Sequence, residues 1–224
     1  MRGFSPGDLW FLVTAAQWTI ALSAVAFVGG GILGLLVAFA RTAPLKPLRL
    51  TAALYILLFQ GTPLVMQLFL VFFGSTMLGW RIDAWTAAAL ALGLNAGAFL
   101  GEIWRGSIET VPHGQWEAAK ALGFGWLRTM RLVVIPQAAR VSVPPTVGFL
   151  VQLVKSTSLA SIIGFTELTR AGQVLNNATF RPFLIFGIVA AIYFALCWPL
   201  SLLASRLERR LALPGRTITT TGGI

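Results

Sequence analysis

Apolar residues dominate this chain in long unbroken runs. A membrane-spanning helix needs about 20 mostly apolar residues. Five stretches meet that length: 17–40, 51–73, 84–104, 141–164 and 183–205. The pattern predicts one all-α integral membrane domain over residues 1–224, with five transmembrane helices. Pro63 interrupts the second run, and Pro144 and Pro145 interrupt the fourth. Proline there predicts kinks whose freed backbone groups are satisfied by neighbours. Gly93, Gly97 and Gly101 recur every fourth residue in the third run, and Gly30 and Gly34 do so in the first. Small residues at that spacing let two helix backbones approach closely. The run GGGILG follows no strand and carries no Lys-Ser/Thr, so it reads as packing and not as a phosphate loop.

One segment between the third and fourth runs breaks the pattern. Residues 117–136 read EAAKALGFGWLRTMRLVVIP. Ala118, Ala119, Leu122 and Trp126 fall at helical spacing and predict an amphipathic helix within 112–132. Glu117 is expected near the helix start, where a carboxylate suits the positive end of the dipole. Gly123 is expected to turn the chain or to allow a close meeting with another surface. Physics alone leaves two readings of such a helix open. It is a docking peg for a partner, or it lies in the lipid headgroups.

Composition fits a membrane chain. Hydrophobic residues make up 57% and charged residues 11%, against about 25% charged in a typical soluble domain. The net charge is +10, and its placement decides what it means. Arg41, Lys46, Arg49, Arg105, Lys120, Arg128, Arg131, Arg140, Arg206, Arg209, Arg210 and Arg216 fall on one side of a five-span chain, whereas Arg2, Arg81, Arg170 and Arg181 fall on the other. Cytoplasmic loops concentrate such residues. The N-terminus is therefore expected outside, the C-terminus inside, and segment 112–132 in the cytoplasm. Topology accounts for the charge, so no nucleic-acid partner is expected. The basic end of the last helix reads as an anchor to anionic headgroups. A single cysteine, Cys197, excludes a disulfide framework. The lone His113 has no metal-ligating company, and no secretory leader is evident at the N-terminus.

Polar side chains at membrane depth are costly and are functional candidates by default. Gln60, Thr62 and Gln67 flank the Pro63 break, so Thr62, Pro63 and Gln67 are candidates for a substrate pathway. Gln152, Lys155, Ser156, Thr157 and Ser158 lie in the fourth run, from which Lys155, Ser156 and Ser158 are taken. Free backbone groups at a broken helix suit a zwitterion. Lys155 can meet a substrate carboxylate, snorkel, or pair with Glu167. The hydroxyls can equally bridge helices. Asn95, Glu102 and Arg105 lie along the third run, and the latter two are expected to form a structural pair. No nucleophile–base pair or metal cluster suggests an enzyme.

The spacing of Glu117-Ala118-Ala119, Gly123 and Val133-x-Ile135-Pro136 resembles the cytoplasmic signature of the membrane subunits of binding-protein-dependent ABC importers. The resemblance covers about residues 17–210. GTPLVMQLFL (61–70), GEIWRGSIETVPHGQWEAAKALG (101–123), VIPQAAR (134–140), KSTSLASIIGFTELTRAGQ (155–173) and SLLASRLERRL (201–211) are similar to the polar amino-acid permease branch of histidine, glutamine and glutamate systems. Three departures stand out: Gln60 where Arg is usual, Ser156 where Asp or Asn is frequent, and Val133 and Ile135 where Ile and Leu are frequent.

The resemblance implies a type I importer permease fold, with its transmembrane type-1 region over 17–208. It implies inner-membrane location, a polar amino-acid cargo and three kinds of protein partner. These are a cytoplasmic ATP-binding dimer, a second permease subunit (identical or homologous) and an extracytoplasmic binding protein. Glu117, Ala118, Ala119 and Gly123 would then couple to the ATPase. The chain itself would bind no cofactor, since ATP and Mg belong to the partner and no Walker lysine motif is present. The cargo stays open at this point: an opine or sulfur amino acid fits the same class, and an ion-coupled carrier or channel is the competitor from another class.

Overall fold

The computed structural model describes residues 3–211. Arg2 and Arg216, both used in the charge argument, lie outside the described residues. All regular structure among them is helical: α1 Pro6–Thr42, α2 Lys46–Gly61, α3 Leu64–Met77, α4 Ala84–Glu109, α5 His113–Ala121, α6 Trp126–Thr129, α7 Ile135–Ser156, α8 Leu168–Thr179 and α9 Pro182–Leu211. A π-helical turn, Met130–Val134, joins α6 to α7, and a 3-10 turn, Thr157–Ile163, follows α7. Four helical runs are long and apolar enough to cross a membrane: Pro6–Thr42, Ala84–Glu109, Trp126–Ile163 and Pro182–Leu211. α2 and α3, bent by 101° at their junction, make a fifth if taken as one span.

The helices run beyond the apolar windows, because hydropathy marks where lipid is tolerated and capping marks where a helix starts. α1 begins at Pro6 and not near residue 17. Pro6 suits the first helical position, and the backbone N–H of Ser5 donates to the Asp8 carboxylate at 2.8 Å, half of a capping box. Its 37 residues span about 55 Å, longer than the hydrocarbon core. α4 starts where the window does, at Ala84. Asp83 caps it by accepting from the N–H groups of Trp85 and Thr86 at 3.2 and 3.4 Å. The fourth window joins a helix that is already running, entered through α6 and the π turn. There the N–H of Ile135 reaches back to the Met130 carbonyl, and Pro136 follows without an N–H of its own. α7 runs on as helix through Pro144 and Pro145.

α1 and α4 form the central pair, and the glycines set their separation. A Cβ on Gly30 would sit 2.5 Å from the Ala96 Cβ and 2.8 Å from the Gly93 carbonyl oxygen. A Cβ on Gly34 would sit 3.0 Å from the Gly101 nitrogen. Backbone meets backbone here, as the spacing predicted. Leu22, Ala26, Leu92, Ala96, Leu100 and Leu153 fill the core around this contact.

Two smaller cores close the ends. At one end, Phe39 of α1, Ile108 of α4 and Val111 just after it, Trp116, Trp126, Met130, Val134 and Ala138 pack together. At the other, Leu12, Ala15 and Ala16 of α1 pack against Leu168, Ala171 and Leu175 of α8 and Ile185 and Val189 of α9. The basic connections α1–α2 and α4–α7 therefore share one end of the molecule. Large apolar side chains such as Val28, Ile32, Leu36 and Phe183 remain exposed, as a bilayer-facing surface requires.

Candidate functional site

The junction of α2 and α3 is built by one proline. Pro63 has no N–H, so the Phe59 carbonyl loses its helical donor. The Gln67 amide replaces it. Gln67 Nε2 donates to the Phe59 carbonyl at 2.8 Å, to the Thr62 carbonyl at 3.1 Å and to Thr62 Oγ1 at 2.9 Å. Asn95 Nδ2, from α4, donates to the same Phe59 carbonyl and to Gln67 Oε1, both at 3.2 Å. The Thr62 hydroxyl donates to the Leu58 carbonyl at 2.7 Å. Tyr55 and Gln60 add bonds from α2 to the α4 carbonyls of Leu94 and Ala98. The expected kink is thus a break, held open by side-chain amides. Gln67 and Asn95 are both buried.

The break opens onto a cavity of about 650 Å³. Phe59, Gln60, Thr62 and Leu64 form one wall. Asn95, Phe99 and Ile103 of α4 form the second, and Pro145, Gly148, Phe149, Gln152, Leu153 and Ser156 of α7 form the third. Phe99 and Phe149 stack at 5.6 Å. The lining is apolar with a few convergent amides and hydroxyls, as small-molecule sites usually are. No ionisable side chain lines it among the described residues.

The predicted pathway residues divide. Thr62 and Ser156 line the cavity, and Pro63 creates the break beside it. Gln67 sits behind the wall and serves the backbone. Ser158 donates back to the Lys155 carbonyl at 2.7 Å and does not line the cavity. Nor does Lys155, an exposed residue with no ion pair among the described residues. The Lys155–Glu167 pairing is not formed. Glu167 is fully buried and caps α8, accepting from the N–H groups of Thr169 and Arg170, each at 2.9 Å, and from the Tyr193 hydroxyl at 2.8 Å. The 3-10 turn and the left-handed Gly164 carry Glu167 away from the last turn of α7 into that cap.

Sequence reading missed Asn95 as a wall residue and missed the aromatic faces Phe59, Phe99 and Phe149. A signal was present for α7. Pro145, Gly148, Phe149, Gln152 and Ser156 share one helical face.

The segment after α4 forms a separate surface. Arg105 ties the last turns of α4 together. Its Nε donates to Glu102 at 2.8 Å, and its other nitrogens reach Glu102 and Glu109. α5 then begins at His113, so Glu117 lies past its first turn and not at the helix start. α5 ends in a Schellman motif. The Gly123 N–H donates to the Lys120 carbonyl at 2.9 Å and the Phe124 N–H to the Ala119 carbonyl at 3.0 Å. Gly123 takes φ +76°, a conformation that side chains disfavour. The apolar stripe splits. Ala119 is buried, and Trp126 packs at the edge of the core formed by Ile108, Val111, Met130, Val134 and Ala138. Glu117, Ala118, Leu122 and Gly123 stay exposed. This surface is small, protruding and patterned.

A broken helix beside an apolar cavity with a few convergent polar groups, within a bundle of membrane-length helices, fits a multi-pass transport component. Residues 30–213 match the family of binding-protein-dependent transport system inner membrane components, and the chain belongs to that family. It is 39% identical to the L-cystine transport system permease protein TcyB of Bacillus subtilis (strain 168), over 90% of this chain and 91% of that one. It is 36% identical to the glutamine transport system permease protein GlnP of Escherichia coli (strain K12), over 90% and 93%. Among solved structures, an amino acid ABC transporter with histidines matches at a TM-score of 0.84 and 36% identity, covering 89% of this chain and 94% of that one. The inward-facing MetNI methionine ABC transporter matches at 0.77 and 21% identity, covering 94% and 100%, and shows the shared fold. The chain is accordingly a transport component and not an enzyme.

Proposed function

We propose that the chain is the permease subunit of an ATP-driven importer that carries a polar amino acid across a bacterial inner membrane. The observation that carries this reading is the continuity of α4. One face of that helix forms a cavity wall at Asn95 and Phe99, and its end leads through the Glu102–Arg105–Glu109 cluster into the exposed α5. A push on α5 is thereby delivered to the cavity wall by a stiff element. The N-terminus lies outside, and the end carrying α5 faces the cytoplasm. Glu117, Ala118, Leu122 and Gly123 meet a dimeric ATP-binding subunit, which holds the ATP and Mg. Ala119 supports that surface from behind. A second permease subunit pairs with this one, and an extracytoplasmic binding protein delivers the cargo. Thr62, Gln152 and Ser156 are the side chains of this chain that face it. The resemblance to a cystine permease supports a sulfur amino acid as a second cargo class.

The test is reconstitution in proteoliposomes with the ATPase and a panel of binding proteins, each loaded with one amino acid. Stimulated ATP hydrolysis and uptake with one loaded protein are expected. Uptake without ATP would replace this reading with an ion-coupled carrier.

A further inference from the structure

The elbow between α1 and α2 borders a second concavity, of about 760 Å³, on the same end as α5. Its walls are apolar: Leu36, Phe39 and Ala43 from the end of α1, Leu45 and Leu48 from the start of α2, and Trp126 from the connection to α7. Cations stand next to its lining residues in the sequence. Lys46 and Arg49 are exposed, and neither makes an ion pair among the described residues. Arg41, next to the lining residue Ala40, has a buried Nε with no hydrogen-bond partner, although its charge also acts on Glu102 of α4, so the phosphate contacts fall to Lys46 and Arg49. No acidic residue occurs between Asp8 and Asp83, so the elbow has no carboxylate of its own. We propose that this groove holds one anionic phospholipid of the cytoplasmic leaflet, its acyl chain against Leu36, Phe39 and Leu48 and its phosphate between Lys46 and Arg49.

The depth fits such an occupant. α1 crosses the bilayer, so its last turns reach headgroup level where α2 begins. Lysine and arginine there extend along apolar surface and place their charges at the phosphates. Basic pockets between membrane helices on the cytoplasmic side favour acidic headgroups. Trp126 belongs chemically at that interface. It also belongs to the segment that follows α5. A lipid in this groove therefore touches both the α1–α2 elbow and the connection carrying the docking surface. The inner-leaflet position rests on the orientation proposed above, whereas retention of the lipid is measured without any transport.

The experiment uses the complete transporter in nanodiscs of phosphatidylcholine mixed with phosphatidylglycerol. Lipid retained after extraction is identified by native mass spectrometry. Phosphatidylglycerol should be retained in preference. The pair Lys46→Gln/Arg49→Gln should weaken retention roughly 20- to 30-fold, from about one headgroup attraction per cation. Leu48→Trp should also lower it by filling the groove while keeping both charges. Arg131→Gln/Arg140→Gln removes the same charge from the same end, at exposed residues that do not line the groove, and should leave retention unchanged. Equal loss in the two double variants would overturn the site, since general charge would then explain it. Unchanged retention in all variants would overturn it as well. If Leu48→Trp instead released the ATPase with lipid retention intact, the groove would belong to that partner.

Discussion

Gln67 Nε2 lies 2.8 Å from the carbonyl oxygen of Phe59, the acceptor that Pro63 strips of its helical N–H. One side chain thereby supplies the donor that another residue's chemistry removed. Replacing it with leucine leaves the Phe59 carbonyl only its longer bond from Asn95 and takes the amide donor from the Thr62 carbonyl, at about 1–3 kcal/mol for the lost bonds. Asn95→Leu should cost less, about 1 kcal/mol, in the range measured for single inter-helix bonds in membranes. Thermal unfolding of the purified subunit in detergent checks both. Equal, near-zero effects would remove these amides from the account of the break.

The fold was legible where one physical rule dominated. Gly30, Gly34, Gly93, Gly97 and Gly101 announced close backbone contacts, because close approach tolerates little else, but not that the two stripes would meet each other. Pro63 announced a disturbance, but one residue type cannot say whether the outcome is a kink or a 101° break. That depends on Gln67 and Asn95, one of which comes from another helix. Pairing with Glu167 was one of three readings open for Lys155, beside a substrate carboxylate and snorkelling. The turn at Gly164 and the vacant N–H groups of α8 gave Glu167 better partners than an exposed lysine. The cavity was half legible: Thr62 and Ser156 line it, while the Phe99–Phe149 stack depends on helix rotation that spacing alone does not set.

The glycine contact makes a controlled prediction. Gly29 and Gly30 are neighbours on α1, but a Cβ on Gly29 would meet nothing within 4 Å, whereas one on Gly30 would meet Ala96 and the Gly93 backbone. Gly30→Ala should destabilise by roughly 1–3 kcal/mol through overpacking, and Gly29→Ala should be neutral or slightly stabilising through helix propensity. Melting temperatures of the two variants decide it. Similar values would mean that α1 and α4 have room to separate.

Glu167 gives stability a pH dependence. Burial pushes its carboxyl above the ordinary carboxylate range, against the opposing hydrogen bonds from Thr169, Tyr193 and Arg170. The folded state therefore binds its proton more tightly than the unfolded state does. The contribution is fully present below the unfolded pKa and is lost as pH rises through the folded one. Glu167→Gln, which keeps an acceptor for the cap and for Tyr193, should flatten the fall in stability across that window. Melting temperatures between about pH 4 and pH 8 test this. A variant whose profile parallels the wild type would place the pH dependence elsewhere.

Gly123 and Glu117 separate shape from chemistry on the docking surface. Gly123 must adopt φ +76° to close the Schellman motif that ends α5. Asparagine tolerates that conformation and valine does not. Gly123→Asn should therefore keep most coupled uptake, while Gly123→Val should lose it through a misplaced α5. Glu117 is exposed and makes no ion pair among the described residues. Glu117→Ala should leave the subunit folded and inserted, yet weaken its hold on the ATPase and lower uptake by about tenfold for each 1.4 kcal/mol lost at the contact. Copurification with the ATPase, uptake and melting temperature are read together on all three variants. Wild-type uptake by Gly123→Val would show that α5 need not end where it does. Normal ATPase copurification and uptake by Glu117→Ala would move the docking contact off this carboxylate.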